Sequence, residues 1–225
     1  MNDLAKRAFG DLARFQLALA AMIFLPAWSL AYWQGLVYWL LFGVLCAATT
    51  LYFLRHDRAL IERRMHAGPG AETEPRQKLI LTIASVALVA LYVISALDFR
   101  FGWSLVPTTV VLLADALVVL GFCGIFLTLR ENAFAAATVT VATGQRVIST
   151  GPYALVRHPM YTCALPLFLA TPPALGSWWG LVPTAFLVAM IVWRLIDEEA
   201  FLARNLLGYT DYQCTVRSRL VPGIW

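Results

Sequence analysis

Long uninterrupted apolar segments, each near the ~20 residues that a helix needs to cross a bilayer's hydrocarbon, set the frame for this chain. They run from Leu12 to Trp33, Leu36 to Leu54, Leu79 to Leu97 and Leu105 to Leu129. Two more follow, Tyr161 to Leu175 and Trp178 to Ile196. The fifth is short and interrupted by Pro166 and by Thr171-Pro172-Pro173, so the last two read as a tight hairpin that barely spans or dips in and returns. Gly176-Ser177 is a plausible cap before the final helix. With only 13% charged residues in 225, against about a quarter in a soluble domain, the expectation is an all-α, polytopic membrane bundle. It has five to six transmembrane segments and forms one membrane domain over 1–225. Residues 1–129 are its N-terminal four-helix part and 130–225 its catalytic, cofactor-binding part.

Charge sets the expected orientation. Lys6, Arg7 and Arg14 precede the first segment, and Arg55, Arg58, Arg63, Arg64, Arg76 and Lys78 lie between the second and third. The first turn, read at Gln34-Gly35, is uncharged, and the third offers only Asp98 and Arg100. The positive-inside rule then places both termini and the 144–161 stretch in the cytoplasm. No signal peptide is evident. The connector His56–Lys78 reads as a solvated loop with a short surface helix from Arg58 to His66, and its basic residues suit membrane lipid headgroups.

Gly144–Tyr161, G-Q-R-V-I-S-T-G-P-Y-A-L-V-R-H-P-M-Y, is the longest polar, turn-rich run of the second half. Glycines 144 and 151 with prolines 152 and 159 preclude one regular helix, so it reads as a binding loop. Arg194 and Glu198 share a helix face at i,i+4 where the last apolar segment ends, with Asp197 and Glu199 beside them. A juxtamembrane ion-pair lattice would use the same residues. The short hairpin, however, brings these acids to the mouth that holds Arg157-His158. Carboxylates for an ammonium or sulfonium, Arg or His for a carboxylate, and aromatic faces for a heterocycle suit a zwitterionic or cationic cofactor.

Asp115, mid-segment, is a candidate site or half of a helix–helix hydrogen bond, to Thr108, Thr109 or a neighbouring helix. Pro107, Gly121 and Gly124 read as packing and kink positions. The four cysteines are scattered and read as small core residues, and three histidines exclude a His-rich metal centre. Neither a metal nor a nucleic-acid partner is expected. G-x-G-x-x-G, P-loop, G-x-S-x-G and H-E-x-x-H motifs are absent, so any nucleotide-like cofactor is held by loops at the membrane face.

The block 144–161, followed by R-L-I-D-E-E-A-F-L (194–202), G-Y-T-D-Y (208–212) and R-L-V-P (219–222), resembles the integral-membrane methyltransferases related to isoprenylcysteine carboxyl methyltransferase. R-E-N-A-F (130–134) resembles that family's approach to the loop. The resemblance covers roughly residues 129–225, and R-H-P-x-Y followed by R-x-x-x-E-E is its specific part. It implies S-adenosylmethionine bound from the cytosol and a lipophilic acceptor admitted from the bilayer. Cofactor contacts are implied at Thr138, Gln145, Arg146, Val147, Ile148, Tyr153, His158, Pro159, Met160, Tyr161 and Glu198. Arg194 is implied to face the acceptor, with Glu199 close by. Two departures stand out: Gln145 replaces a common His, and Tyr209 directly follows Gly208 where relatives often place two residues between them. A carboxylate acceptor needs no strong base; an amine or thiol would make Glu199 or His158 a candidate base. Two other readings remain open: an NADPH-dependent membrane reductase of the sterol reductase type, and a non-catalytic membrane protein that keeps the fold.

Overall fold

The computed structural model describes residues 3–65, 70–72, 74–132, 134 and 144–225. Among them are eight α-helices and no strand: α1 (Asp3–Ala27), α2 (Trp33–His56), α3 (Arg58–Met65), α4 (Pro75–Phe101), α5 (Thr108–Glu131), α6 (Pro159–Ala174), α7 (Leu181–Asn205) and α8 (Tyr209–Thr215). Helices α1, α2, α4 and α5 are long and apolar enough to cross a membrane. Local chemistry marks several ends. Pro75 opens α4, where a missing N–H is harmless, and Gly102 closes it in the left-handed region at φ 65°.

The first turn differs from the sequence expectation. The chain reverses at residues 28–32, with Trp28 itself at φ 52°, while Gln34 and Gly35 lie inside α2. Trp-Ser-Leu-Ala-Tyr is apolar enough to look like continuing helix. Gly35 serves packing instead: a Cβ there would stand 2.7 Å from the Tyr32 ring and 2.8 Å from Ile23. Pro107 likewise is the residue before α5, not a kink within it.

Helix α5 packs most extensively on α6. The close approach is made at Gly121, opposite the Cys163 carbonyl, and at Gly124, opposite the Cys163 sulfur. Contrary to the sequence expectation, α6 is one continuous helix through Pro166, Pro172 and Pro173. Near its C-terminal end the Thr171 hydroxyl donates to the Leu167 carbonyl at 2.9 Å, and the Tyr32 hydroxyl, from outside the helix, donates to the Leu175 carbonyl at 2.5 Å. At 1.5 Å per residue α6 is only roughly 24 Å long, shorter than the hydrocarbon core.

The two ends of the bundle differ. At one, Trp28, Trp33, Trp103, Trp178 and Trp179 are exposed, as interfacial indoles are. Buried Asp98 accepts from Ser104 Oγ at 2.6 Å and Ser177 Oγ at 2.5 Å, tying α4 to the α6–α7 turn. Ser177 also accepts from the Gly180 N–H at 3.0 Å, immediately before α7. The other end carries α3, the 144–158 loop and α8.

Asp115 is 7% exposed, and among the described residues neither carboxylate oxygen has a hydrogen-bond partner, so the expected helix–helix hydrogen bond is not made there. The cysteines depart from expectation. No cysteine is fully buried, and Cys123 and Cys214 are exposed.

Candidate functional site

Proline dictates the geometry at the loop's end. Pro159 opens α6 and bars helical backbone at the preceding residue, so His158 sits at φ −124°, ψ 63°. Its N–H is therefore left for a partner outside the helix, and the Arg219 carbonyl accepts it at 3.0 Å. The Arg157 N–H donates to the Ser218 carbonyl at 3.0 Å, and Thr162 Oγ1 to the Leu220 carbonyl at 2.8 Å. Residues 216–220 thus strap the Arg157-His158 turn from behind.

The same turn is fixed by charge. Arg157 Nε donates to Glu199 Oε1 at 2.6 Å and Arg219 Nε to Glu199 Oε2 at 2.8 Å, while His158 Nε2 stands 3.3 Å from Oε1. Burial alone would raise the Glu199 carboxyl; hydrogen bonds from His158, Arg157 and Arg219 more than reverse this and hold it at about 2. Arg157 Nη1 further donates to the carbonyls of Val216 and Arg217, both at 2.8 Å. Glu199 thus lies close to the site, and its setting argues against the alternative role of a base. Its carboxylate lies behind the site, saturated by cations, where it is a poor proton acceptor and a strong organiser of the turn.

In front of this cluster opens a cavity of about 270 Å³. From the loop come Gln145, Arg146, Val147, Ile148 and Tyr153; from the start of α6 come His158, Pro159, Met160 and Tyr161; α7 adds Arg194 and Glu198. Every implied cofactor position in the described residues is in this lining, and so is Arg194. Thr138 lies outside the described residues. The loop is irregular apart from a 3-10 turn at Gly151–Ala154. Three contacts anchor it: Thr150 Oγ1 donates to Glu131 Oε1 at 2.5 Å, Asn132 Nδ2 to the Tyr153 hydroxyl at 3.0 Å, and the Tyr212 hydroxyl to the Tyr153 carbonyl at 2.7 Å.

Tyr161 joins the two charges of α7. Its hydroxyl donates to Glu198 Oε2 at 2.7 Å and accepts from Arg194 Nε at 3.0 Å. The His158 and Tyr161 rings stack with centroids 5.6 Å apart. Burial pushes the Tyr153 hydroxyl up to about 12, despite the opposing Asn132 hydrogen bond, and raises Tyr209 and Tyr212 further. These three hydroxyls are donors at neutral pH, not bases.

Several lining residues are not evident from sequence. Arg64 reaches the cavity from α3, Leu81 from α4, and Asn132 from just past α5. Leu202 and Leu206 follow Glu198 at helical spacing, a signal that the sequence does carry. Tyr209 is the most informative addition. It is 4% exposed and lines the cavity, and its hydroxyl has no hydrogen-bond partner among the described residues. A buried hydroxyl left unsatisfied is unfavourable unless a ligand completes it.

Residues 109–207 match the phospholipid methyltransferase family model. These are membrane S-adenosylmethionine-dependent methyltransferases related to the isoprenylcysteine carboxyl methyltransferases. The matched stretch contains α5, the loop, α6 and α7, and thus most of the cavity wall. With four apolar helices, it supports a membrane methyltransferase. A comparison with curated proteins finds no match.

Proposed function

We propose that this protein is a multi-pass membrane methyltransferase that takes S-adenosylmethionine into the cavity and methylates a lipophilic acceptor arriving from the bilayer. The observation that carries the reading is the Arg194–Tyr161–Glu198 chain, a cation and an anion held at fixed separation on one wall of an aromatic-lined cavity. The donor set fits the cofactor: Glu198 suits its ammonium or ribose hydroxyls, Arg146 its carboxylate, and the Tyr209 hydroxyl is a polar group in want of a partner. Basic residues gathered at the cavity end support placing the site and both termini in the cytoplasm.

When bound, the cofactor supplies an electrophilic methyl on a sulfonium, transferred by in-line displacement. The chain's own residues then have positional tasks. Arg194 orients an acceptor carboxylate through its guanidinium fork. His158 and Tyr161 close the wall, Glu199 keeps the turn in register, and the greasy surround excludes water. An apolar acid, the isoprenylcysteine type included, is the acceptor class this favours, because a carboxylate needs no base and neither Glu199 nor the buried tyrosines offer one. A phospholipid amine is the second reading, favoured by the matched family's name; it would need His158 or water to take a proton.

Binding of S-adenosylmethionine and its demethylated product to detergent-purified protein, with NADPH in parallel, tests the reading. Binding of the methionine cofactor, weakened by Glu198→Ala, is expected. NADPH binding alone would move the assignment to a reductase.

A further inference from the structure

Helix α4 fixes the depth of the C-terminal tail. Its first turn is fastened to the cavity end of α7: buried Gln77 accepts from Arg194 Nη1 through Oε1 at 2.8 Å and donates through Nε2 to Asp197 Oδ2 at 2.7 Å. Glu72, shortly before it, is buried as well, which corrects the expectation of a solvated loop over 56–78. From Gln77 to Phe101, α4 rises roughly 36 Å at 1.5 Å per residue. That exceeds a hydrocarbon core of ~30 Å and falls short of the ~40–45 Å of a bilayer with its headgroups. Trp103, stacked on Phe101, and the other exposed indoles there mark one interface. Gln77, Asp197 and Glu199 therefore stand in the other.

The tail is fastened at that level. Arg219 holds Glu199 through its side chain at 2.8 Å and the His158 N–H through its carbonyl at 3.0 Å. Beyond it the chain folds back on itself. The Leu220 and Val221 N–H groups donate to the Trp225 main-chain oxygen at 2.8 and 3.0 Å, and the Gly223 N–H donates to Ser218 Oγ at 2.9 Å. Gly223 permits the reversal at φ 75°. The turn sets the Trp225 ring over the Arg219 guanidinium, 5.2 Å from its centroid. It leaves Val221, Trp225 and above all Ile224, 81% exposed, on the outside, with the exposed Arg217 close by in sequence.

At interfacial depth such a surface has a natural occupant. The headgroup–acyl boundary stabilises exposed aliphatic side chains and indole rings, and arginines reach from it to lipid phosphates. We infer that residues 221–225 are seated in that boundary, with Arg217 on the phosphates of anionic lipid, and that Arg219 transmits this seating to the His158 turn. The seating stands apart from the methyltransferase reading, whereas its effect on ligand binding rests on it. The ligand-binding turn is then held in shape from the membrane surface as well as from within the protein.

The test uses full-length protein in nanodiscs of mixed phosphatidylcholine and phosphatidylglycerol. A nitroxide is attached at Ile224→Cys, with Cys123→Ala and Cys214→Ala removing the two exposed thiols. Its relaxation is expected to respond more to oxygen, which concentrates in lipid, than to a water-soluble nickel chelate. The reverse order overturns the seating. Ile224→Asp and Ile224→Leu are then compared with wild type for S-adenosylhomocysteine affinity. A side chain so exposed has few protein contacts to lose, so a tail in water would make Ile224→Asp silent. The expected result is a loss of about two- to fivefold in Ile224→Asp, with Ile224→Leu at wild-type affinity. Equal affinity in all three proteins overturns the link to His158, as does an equal loss in both variants. Wild-type protein that binds no S-adenosylhomocysteine overturns the methyltransferase reading, while the nitroxide still decides the seating.

Discussion

Arg157 and Glu199 meet at 2.6 Å, Nε to Oε1, although 42 residues of chain separate them. The pair joins the end of the loop to the last long helix, and Arg219 brings the C-terminal tail to the same carboxylate. Removing one partner of a buried ion pair typically costs about 3–5 kcal/mol, because the other charge is stranded. Glu199→Gln strands the buried Arg157 and takes the negative charge away from Arg219 and His158. We expect a clear drop in melting temperature and weak S-adenosylhomocysteine binding. A variant that melts like wild type would show that the cluster does not hold the turn.

The same carboxylate predicts a pH dependence. The folded state holds Glu199 at about 2, against an ordinary value of 4.5. The unfolded chain therefore binds its proton more readily, and the stabilisation is fully present above about pH 4.5 and lost as pH falls toward 2. The melting-temperature gap between wild type and Glu199→Gln should be wide at pH 7 and shrink below pH 4.5. A gap that stays constant down to pH 3 refutes the assignment.

Tyr209→Phe removes a hydroxyl that has no hydrogen-bond partner among the described residues. Its melting temperature should hold or rise slightly, since an unsatisfied buried group disappears. S-adenosylhomocysteine affinity should fall about five- to tenfold if that hydroxyl contacts the cofactor, as one hydrogen bond of ~1 kcal/mol implies. Calorimetry showing unchanged affinity would remove Tyr209 from the site.

Arg194 and Glu198 should separate binding from turnover. Arg194→Ala is expected to leave cofactor affinity within about twofold while lowering turnover at least ~100-fold, the scale of losing a positioned charge. Glu198→Ala should weaken the cofactor itself. Equal, full cofactor binding by both variants would sink this division.

Gly124 tests the packing beneath the site. A Cβ there would overlap the Cys163 sulfur, so Gly124→Ala should destabilise by about 1–3 kcal/mol. Adding Cys163→Ala removes that sulfur and should restore much of the loss. Additive effects in a double-mutant cycle would show that the two do not meet.

Hydropathy made the helices legible, because a membrane helix must be apolar along its whole length. It failed at Trp28–Tyr32, where the turn is as greasy as its flanks. The lining from Gln145 to Tyr161 was legible through the family resemblance of that block, and it stays together in space because neighbours in sequence stay neighbours around a pre-proline turn. Glu72 and Gln77 were not: a polar residue in a charged connector looks solvated until its partner is known, and Gln77 finds Arg194 at a separation of 117 residues. The partners of Glu199 were not legible either, because three consecutive acids on a helix point in different directions, and only packing decides which one faces the cavity.

The strap over Arg157-His158 has a consequence for biogenesis. Synthesis is vectorial, and N-terminal parts can fold first. All the long helices are therefore made before residues 216–220 exist to receive the N–H groups of Arg157 and His158. A ribosome-bound chain can insert its hydrophobic scaffold early, but its ligand-binding turn stays unclamped until those residues emerge. Maturation of the site thus waits until translation has passed residue 220, and a stop codon before Val216 would leave an inserted bundle without it.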